Sequence, residues 1–545
     1  MSEKTIHVPI LIVGGGLVGL STALFLSQQH VPYQLIERHQ KTSIHPKASG
    51  FNLRTMELYR GLGLNEKIRE AGAQLAKSFG WYTANTLMEA DLDRTKIDMP
   101  KDPKAMAKTA SLSENLSPVD FTRCTQDQAE PILLEAARER GGELNFHTEL
   151  IDFEQNDQNV IATVRNRTTG IEEKIVAEYM VAADGVKGPV RQMLDIPVTT
   201  KQLYGHIINI YFEADLSEFV SGREFMGCNI THPDAAGALL AINNRDRWCY
   251  HVSYDPEAGE MPDEFSHERC HNIIQKAIGF PDLEVHIISV LPWEAAGRVA
   301  DRFQKGRVFL AGDAAHEMPP TGGYGANTGV QDAHNLAWKL AAVVNKQAGA
   351  GLPETYDAER RPVAHMTVAQ AGQIADTGKV SPIKNKGVKA ASVHEHLHAT
   401  VGYYYASQAV IESDTNHPPL DHFELNGRPG TRAPHVWGEH QGKHLSTLDL
   451  FGLGFVLLTG PEAKGWYDAA REISEQFGVK VNVYRIGPDG DFIDKENNWQ
   501  KAYQATSESV ILIRPDGFVC WRTDRRVIQP ELILQKVFSQ ILDLA

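Results

Sequence analysis

The sequence predicts a mixed α/β chain in three parts, and three observations predict it. A strand, a glycine turn, a helix and a second strand occupy residues 7–37. From about 190 to 295, short runs alternate apolar and polar residues with the period of half-buried strands. Beyond a proline-bearing stretch at 380–430, residues 445–545 read βαβ and then ββα, the order of a small separate α/β domain. A chain of 545 residues has room for about three domains.

Composition narrows the class. The chain is 42% hydrophobic and 23% charged, ordinary for a packed globular protein and wrong for a disordered one. Its formal charge of −15, spread along the chain, argues against a nucleic-acid partner, which needs clustered Lys and Arg. The five cysteines, Cys124, Cys228, Cys249, Cys270 and Cys520, are widely spaced and form no CxxC. That pattern excludes a disulfide framework or zinc ribbon and suits a reducing cytoplasm. Val8–Leu26 is nearly all apolar, yet Gly14-Gly15-Gly16 would cut a membrane helix in its first half. We therefore expect neither a membrane span nor a signal peptide.

The elements follow in order. His7–Val13, Leu17–Gln29 and Tyr33–Glu37 form the opening unit. Residues 55–74 and 127–141 have helical spacing, and residues 144–183 alternate like strands around a turn at Arg167–Gly170. Residues 190–295, together with about 75–115, read as a sheet domain inserted into the first domain, with a helix near 265–278. Val308–Ala311 is a core strand returning to the first domain, followed by a long helix at about 328–348. The last domain places strands at Gly454–Leu458, Val479–Tyr484, Val510–Ile513 and Phe518–Arg522, with helices at 464–477 and at the C-terminus.

Two constellations carry chemistry. Gly14-x-Gly16-x-x-Gly19 follows a strand and opens a helix, and Glu37 ends the next strand 18 residues beyond Gly19. The first glycine makes the turn, the second lets backbone approach a pyrophosphate, and the third allows close packing of helix on strand. Glu37 suits a ribose 2′-hydroxyl and disfavours a 2′-phosphate, so FAD or NAD fits better than NADP. The second constellation is Gly312-Asp313-Ala314-Ala315-His316, then Pro319-Pro320-Thr321-Gly322-Gly323-Tyr324-Gly325-Ala326-Asn327, then Asp332 and Asn335-Leu336-Ala337-Trp338-Lys339. A carboxylate at a strand C-terminus can bind ribityl hydroxyls. The loop after it, stiffened by proline and opened by glycine, can lay N–H groups along a flat heterocycle. His316 reads as structural, or as near the nicotinamide, rather than as a base.

With Ala183-Asp184-Gly185, Val190-Arg191, His45-Pro46-Lys47-Ala48, Gln126, Glu130 and Tyr356-Asp357-Ala358-Glu359-Arg360-Arg361-Pro362, these motifs resemble one family. It is that of the class A, single-component flavin-dependent aromatic hydroxylases with the para-hydroxybenzoate hydroxylase fold. Arg428–His435 and Arg514-Pro515-Asp516-Gly517-Phe518 resemble the C-terminal thioredoxin-like domain of the branch that hydroxylates phenols and aromatic polyketides.

The resemblance implies a Rossmann-like FAD-binding domain at 1–75, 116–190 and 296–380, a substrate-binding β-sheet domain at 76–115 and 191–295, a linker at 381–430 and a thioredoxin-like domain at 431–545. It implies non-covalent FAD, NADPH or NADH as a transient co-substrate, O2, and an aromatic substrate attacked through a flavin C4a-hydroperoxide. Gly14, Gly16, Leu17, Val18 and Gly19 would meet the pyrophosphate or adenosine, Glu37 the adenosine ribose, and Leu150 the adenine. Gln126 would reach the ribityl–phosphate region and Asp313 the ribityl and pyrophosphate. Pro320, Gly325, Ala326 and Asn327 would flank the isoalloxazine, with Asp184 near the nicotinamide path and Arg38 and Lys47 also on the cofactor. No side-chain catalyst and no metal are implied. The third domain would serve stability or a homodimer.

Two positions depart from the pattern: Lys47 replaces an arginine, and Tyr324 stands where many polyketide hydroxylases carry glutamine. Trp81, Tyr82, Phe212, Phe225 and Tyr250 read as core before they read as substrate contacts. Trp293 and Arg298 read as braces of the domain junction. Baeyer–Villiger oxidation, antibiotic inactivation and a non-catalytic FAD scaffold stay open as alternatives.

Overall fold

A computed structural model of the chain describes residues 5–78, 80–92, 115–376, 393–411 and 423–544. The parts of the expected sheet domain at 93–114 and of the expected linker at 381–392 and 412–422, including Pro418-Pro419, lie outside the described residues.

The first sheet is organised around Thr5–Val13. This strand runs parallel to Tyr33–Glu37 on one side and to Glu172–Ala182 on the other. Glu143–Phe146 and Val308–Leu310 extend the parallel order at either end. Helices cover both faces, which is why Ile10-Leu11-Ile12 is a continuous and fully buried apolar run. Thr148–Gln155 and Val160–Asn166 fold back as antiparallel strands onto the start of Glu172–Ala182.

Helix boundaries differ from the expected ones where glycine intervenes. The helical stretch at 55–74 is three helices, Leu53–Gly61, Asn65–Ala71 and Ala73–Ala76, parted first at Gly63, whose φ is +71°. The long helix starts earlier than expected, at Tyr324, and ends at Val344. Gly322 and Gly323 adopt positive φ and turn the loop directly into it.

The second sheet has seven strands, in the order His316–Glu317, His286–Val299, Thr200–Glu213, Arg247–Tyr254, Gly237–Ala241, Gly227–Ile230 and Trp81–Ala84. It runs past residue 295, because His286–Val299 is one bulged strand whose far end pairs with the loop strand His316–Glu317. Alternation sends Ile208, Ile210, Phe212, Trp248 and Tyr250 into a core shared with helix His267–Ile278. Tyr82 and Phe225 join that core, as the sequence reading favoured. Ile207, Asn209, Tyr211, Cys249 and His251 point the other way, toward the FAD-side elements. There Trp293 packs with Tyr204, Ile207, Ala295 and Ala375, joining helix Thr355–Asp376 to the sheet.

In the C-terminal sheet, Phe455–Thr459 lies between a parallel Val481–Gly487 and an antiparallel Val510–Ile513, with Val519–Thr523 beyond. Helices Trp466–Phe477 and Pro530–Ile541 complete the βαβ and ββα units of a thioredoxin-like domain. All five cysteines are free and buried. Among the described residues no helix is long and apolar enough to cross a membrane.

The alternation makes a prediction. Phe212→Ala should cost about 3–5 kcal/mol of stability in urea unfolding. Its neighbour Tyr211→Phe, on the opposite face, should cost about 1 kcal/mol, the loss of one hydrogen bond. Equal costs would contradict the assignment of the two faces.

Candidate active site

The glycine turn, Glu37, Asp184 and Asp313 lie at or just past the C-terminal ends of the parallel strands, where open α/β sheets place their ligands. Val13 leads into the glycine turn, Tyr33–Glu37 ends on Glu37, Ala182 leads to Asp184, and Leu310 leads to Asp313. At Gly14 φ is +110°, and a Cβ there would strike the Ala183 carbonyl oxygen. A Cβ on Gly19 would strike the Gly14 carbonyl oxygen. A Cβ on Gly16 would meet nothing closer than Glu130 Oε1 at 3.5 Å, so this glycine leaves its side of the turn open. Gly16 caps helix Leu17–Gln28 with no side-chain hydrogen bond of its own; Leu17 N–H goes to the Glu130 carboxylate, and the remaining first-turn N–H groups are left to an anion. Glu37 holds the turn: Gly15 N–H donates to Oε2 at 2.6 Å and His39 N–H to Oε1 at 2.8 Å.

The second constellation meets the first at Val18. A Cβ on Gly312 would lie 2.7 Å from Val18 Cγ2, and one on Gly329 would lie 2.6 Å from the same atom. Two stretches some 300 residues apart thus converge. Asp313 has an exposed side chain in this cleft, yet protein surrounds it densely. Burial raises its pKa, and the charges of His316 and Lys47 oppose the rise. Lys47 is therefore close enough to act electrostatically on Asp313, though exposed itself.

Asp332 pins this loop from behind. Its Oδ2 accepts Gly312 N–H at 3.1 Å and His316 Nε2–H at 2.6 Å, and its Oδ1 accepts Arg360 Nε–H at 2.7 Å. Burial alone would raise the Asp332 carboxyl, but Arg360 and His316 hold it below the usual range. His316 is buried and spent on this contact, the structural role the sequence favoured.

Along the next loop Pro320 is exposed, and Gly325 and Ala326 are half-buried. Gly323 leaves helix Tyr324–Val344 without a side-chain cap. The Asn327 side chain is turned away from the cleft. It is buried, accepts Asn52 N–H at 2.9 Å, and donates to the carbonyls of Gly50 and Gly323. Only its backbone is left for a flat ligand. Tyr324 is buried as well, its hydroxyl 2.7 Å from His396 Nδ1.

The remaining positions are less central. The Asp184 carboxyl is raised by burial, opposed by Arg38 and Arg191, and its Oδ2 accepts Val190 N–H at 3.1 Å. Arg38 is exposed beside Glu37, its carbonyl bound by Arg167. Gln126 Nε2–H donates to Glu130 Oε1 at 2.6 Å. Leu150 is half-buried opposite Val164, and the nearby side chain that reaches the glycine turn is Phe146.

Residues 7–371 match the family of FAD binding domains, and residues 426–545 match the C-terminal domain of aromatic-ring hydroxylases. The chain belongs to the FAD-dependent aromatic-ring hydroxylases. It is 39% identical to the tetracenomycin A2 monooxygenase-dioxygenase of Streptomyces glaucescens, covering 96% of this chain and 94% of that one. It is 35% identical to the 4-methyl-5-nitrocatechol 5-monooxygenase of a Burkholderia species, over 98% of both. The crystal structure of aklavinone-11 hydroxylase with FAD and aklavinone superposes with a TM-score of 0.87, at 35% identity over 98% of this chain and 99% of that one.

The open side of Gly16, the uncapped helix and the cleft-exposed Asp313 fit FAD in this hydroxylase. Two groups of residues went unread in the sequence. Glu130 appeared there only within a motif. It is fully buried and ties helix Gln126–Glu139 to the 43–47 loop by accepting Ser43 N–H at 2.8 Å. The second group is the polar face of the sheet under His45. His45 Nδ1 lies 3.0 Å from Ser289 Oγ, and its ring meets Tyr211 edge-on. Tyr211 accepts from Arg247 at 2.6 Å, and Arg247 pairs with Asp127 at 2.5 Å. Asn209 pairs with His251 across the strands. Strand alternation was the available signal, since polar residues at every second position of an otherwise apolar run mark one face.

Gly16→Ala tests the cleft. The variant should fold with a urea midpoint lowered only slightly by the poorer N-cap, but lose FAD affinity at least about tenfold by flavin fluorescence titration, since the added methyl, in ordinary contact with Glu130, projects into the ligand's side of the turn. Unchanged affinity would remove Gly16 from the phosphate path.

Proposed function

We propose that the chain is a single-component monooxygenase that uses NADPH or NADH and O2 to hydroxylate a phenolic ring of aromatic polyketide type. The observation that carries this reading is the convergence of the Gly14–Gly19 turn and the Gly312–Asp313 loop at Val18, beside a polar sheet face. Named functions of the relatives support it, among them a tetracenomycin monooxygenase and an aklavinone hydroxylase. A monocyclic phenol is the second reading, favoured by the nitrocatechol relative. The proposal keeps the division into FAD-binding, sheet and thioredoxin-like domains. It places the enzyme in the cytoplasm, as its free thiols suit, and leaves a homodimer to be tested.

In this reading the first-turn amides of helix Leu17–Gln28 hold the pyrophosphate, Glu37 the adenosine ribose and Asp313 the ribityl chain. Lys47 supplies positive charge beside Asp313. The backbone of Pro320, Gly325, Ala326 and Asn327 lines the ring system. Bound FAD supplies the redox chemistry that activates O2 for an electron-rich ring. The chain's own residues position that ring and exclude water. His251 stands on the sheet face toward the FAD-binding domain, and His45 meets that face from the 43–47 loop. Burial, then the charge of Lys47, pulls His45 down to about 4. Burial, then His45, pulls His251 down to about 4. Both imidazoles are therefore neutral at pH 7. A side-chain hydrogen bond to Asn209 opposes the pull on His45 and ties this loop histidine to the polar sheet face.

Two measurements test the reading. Purified protein should be yellow and should oxidise NADPH or NADH several-fold faster when a matching phenol is added, with product heavier by one oxygen atom. Oxidation indifferent to every mono- and polycyclic phenol tried would overturn it. The pH dependence has a definite sign. Both histidines are neutral when folded and charge at about pH 6.5 when unfolded, so their stabilising share is full above that pH. It should be lost as pH falls from about 6.5 through about 4. His45→Gln should make this acid limb shallower in urea midpoints; an identical limb would mean that His45 is charged in the fold.

A further inference from the structure

The C-terminal domain reaches the flavin side of the molecule through buried charge. Arg514 is fully buried and grips two carboxylates at once. Its Nη1 and Nη2 donate to Glu359 Oε1 and Oε2 at 2.6 and 2.9 Å. Its Nε and Nη2 donate to Asp516 Oδ1 and Oδ2 at 3.0 and 2.6 Å. Glu359 lies on helix Thr355–Asp376, and it also accepts from Asn335, Lys339 and Ser407 at 2.7, 2.8 and 2.6 Å. The next residue on that helix, Arg360, holds Asp332, and Asp332 holds Gly312 N–H and His316. Arg360 Nη1 also donates to Tyr405 Oη at 3.1 Å, and Tyr405 stacks on Phe518 of the C-terminal domain with ring centres 4.1 Å apart.

We infer that Arg514 and Asp516 are positioning residues for the FAD site, acting through Glu359, Arg360 and Asp332 on the Gly312–Asp313 loop. The inference rests on membership of an FAD-binding family and not on the identity of the substrate. Its physical reason is rigidity. Bidentate Arg–carboxylate contacts fix direction as well as distance, and a fully desolvated charge tolerates little displacement. Glu359 and Arg360 are adjacent on one helix, so a helix that loses its grip on Arg514 shifts both together. Gly312, at φ +61° and against Val18, has no slack to absorb that shift. A domain without a cysteine pair thereby acquires a mechanical role toward the cofactor.

The test uses holoenzyme of the full chain carrying Arg514→Lys, Asp332→Asn, both together, or Tyr405→Phe. The readouts are the FAD dissociation constant from recovered flavin fluorescence and the urea midpoint from circular dichroism. Arg514→Lys keeps the charge but loses the fork, and it should raise the FAD dissociation constant about tenfold, in the range of couplings between contacting groups. Tyr405→Phe should raise it about threefold and lower the urea midpoint modestly, since the buried Arg360 Nη1 loses an acceptor. The double variant should lose no more than its worse single parent, because both act on one chain of contacts. The inference is overturned if Arg514→Lys and Tyr405→Phe bind FAD as before, whether or not the urea midpoint falls. It is equally overturned if the losses in the double variant multiply. Should Arg514→Lys fail to fold, Tyr405→Phe alone decides. Turnover enters neither readout, so a wrong substrate assignment leaves the result intact.

Discussion

The site depends on glycine backbone approaching its neighbours more closely than a Cβ allows. Gly14 passes against Ala183, Gly19 against Gly14, and Gly312 and Gly329 against Val18. Each contact joins a different pair of segments: strand end to strand end, turn to helix, late loop to early helix. A β-carbon at any of these points would push the segments apart and open the cleft that Asp313 lines. The glycines give up conformational entropy for this closeness, and the fully buried apolar strands beneath them hold the segments in place.

Behind the cleft lies an ionic network with almost no water access. Arg54, Glu57, Asp332, Lys339, Glu359, Arg360, Arg432, Arg514 and Asp516 are all buried. Burying so many charges adds little net stability, but removing one partner from such a set typically costs about 3–5 kcal/mol. Its effect is on geometry. Burial draws Lys339 down to about 8, while Glu359 opposes that pull and keeps the ammonium form in reach. Arg514 and Lys339 in turn hold Glu359 below the ordinary carboxylate range against the pull of burial.

Much of this was legible in the sequence because local chemistry and tertiary position coincide in it. Gly14, Gly16 and Gly19 announce a turn whose shape is set within six residues, and Gly312-Asp313 follows an apolar strand in the same way. The start of the long helix was misplaced because Gly322 and Gly323 looked like the middle of a loop, whereas their positive φ ends it. The Asn327 side chain pointed away from the expected ligand because its partners, Gly50 and Asn52, lie about 275 residues away and no local pattern links them. The polar sheet face was missed for a related reason. Aromatic residues drew attention to one face of each strand, and the polar side chains sat on the other. The Arg514–Glu359–Arg360–Asp332 connection spans three segments, so the motifs that hold these charges gave no sign that they touch.

The two faces of the second sheet divide labour in a way that bears on how such enzymes diversify. Substitutions at Asn209, Tyr211, Cys249 or His251 alter the face turned toward the FAD-binding domain while leaving the Phe212 and Trp248 packing untouched. A lineage can therefore explore new ring systems by drift on one side of a strand, with little opposition from folding. Relatives named for substrates as unlike as a nitrocatechol and a tetracenomycin, each at least 35% identical to this chain, are what that separation permits.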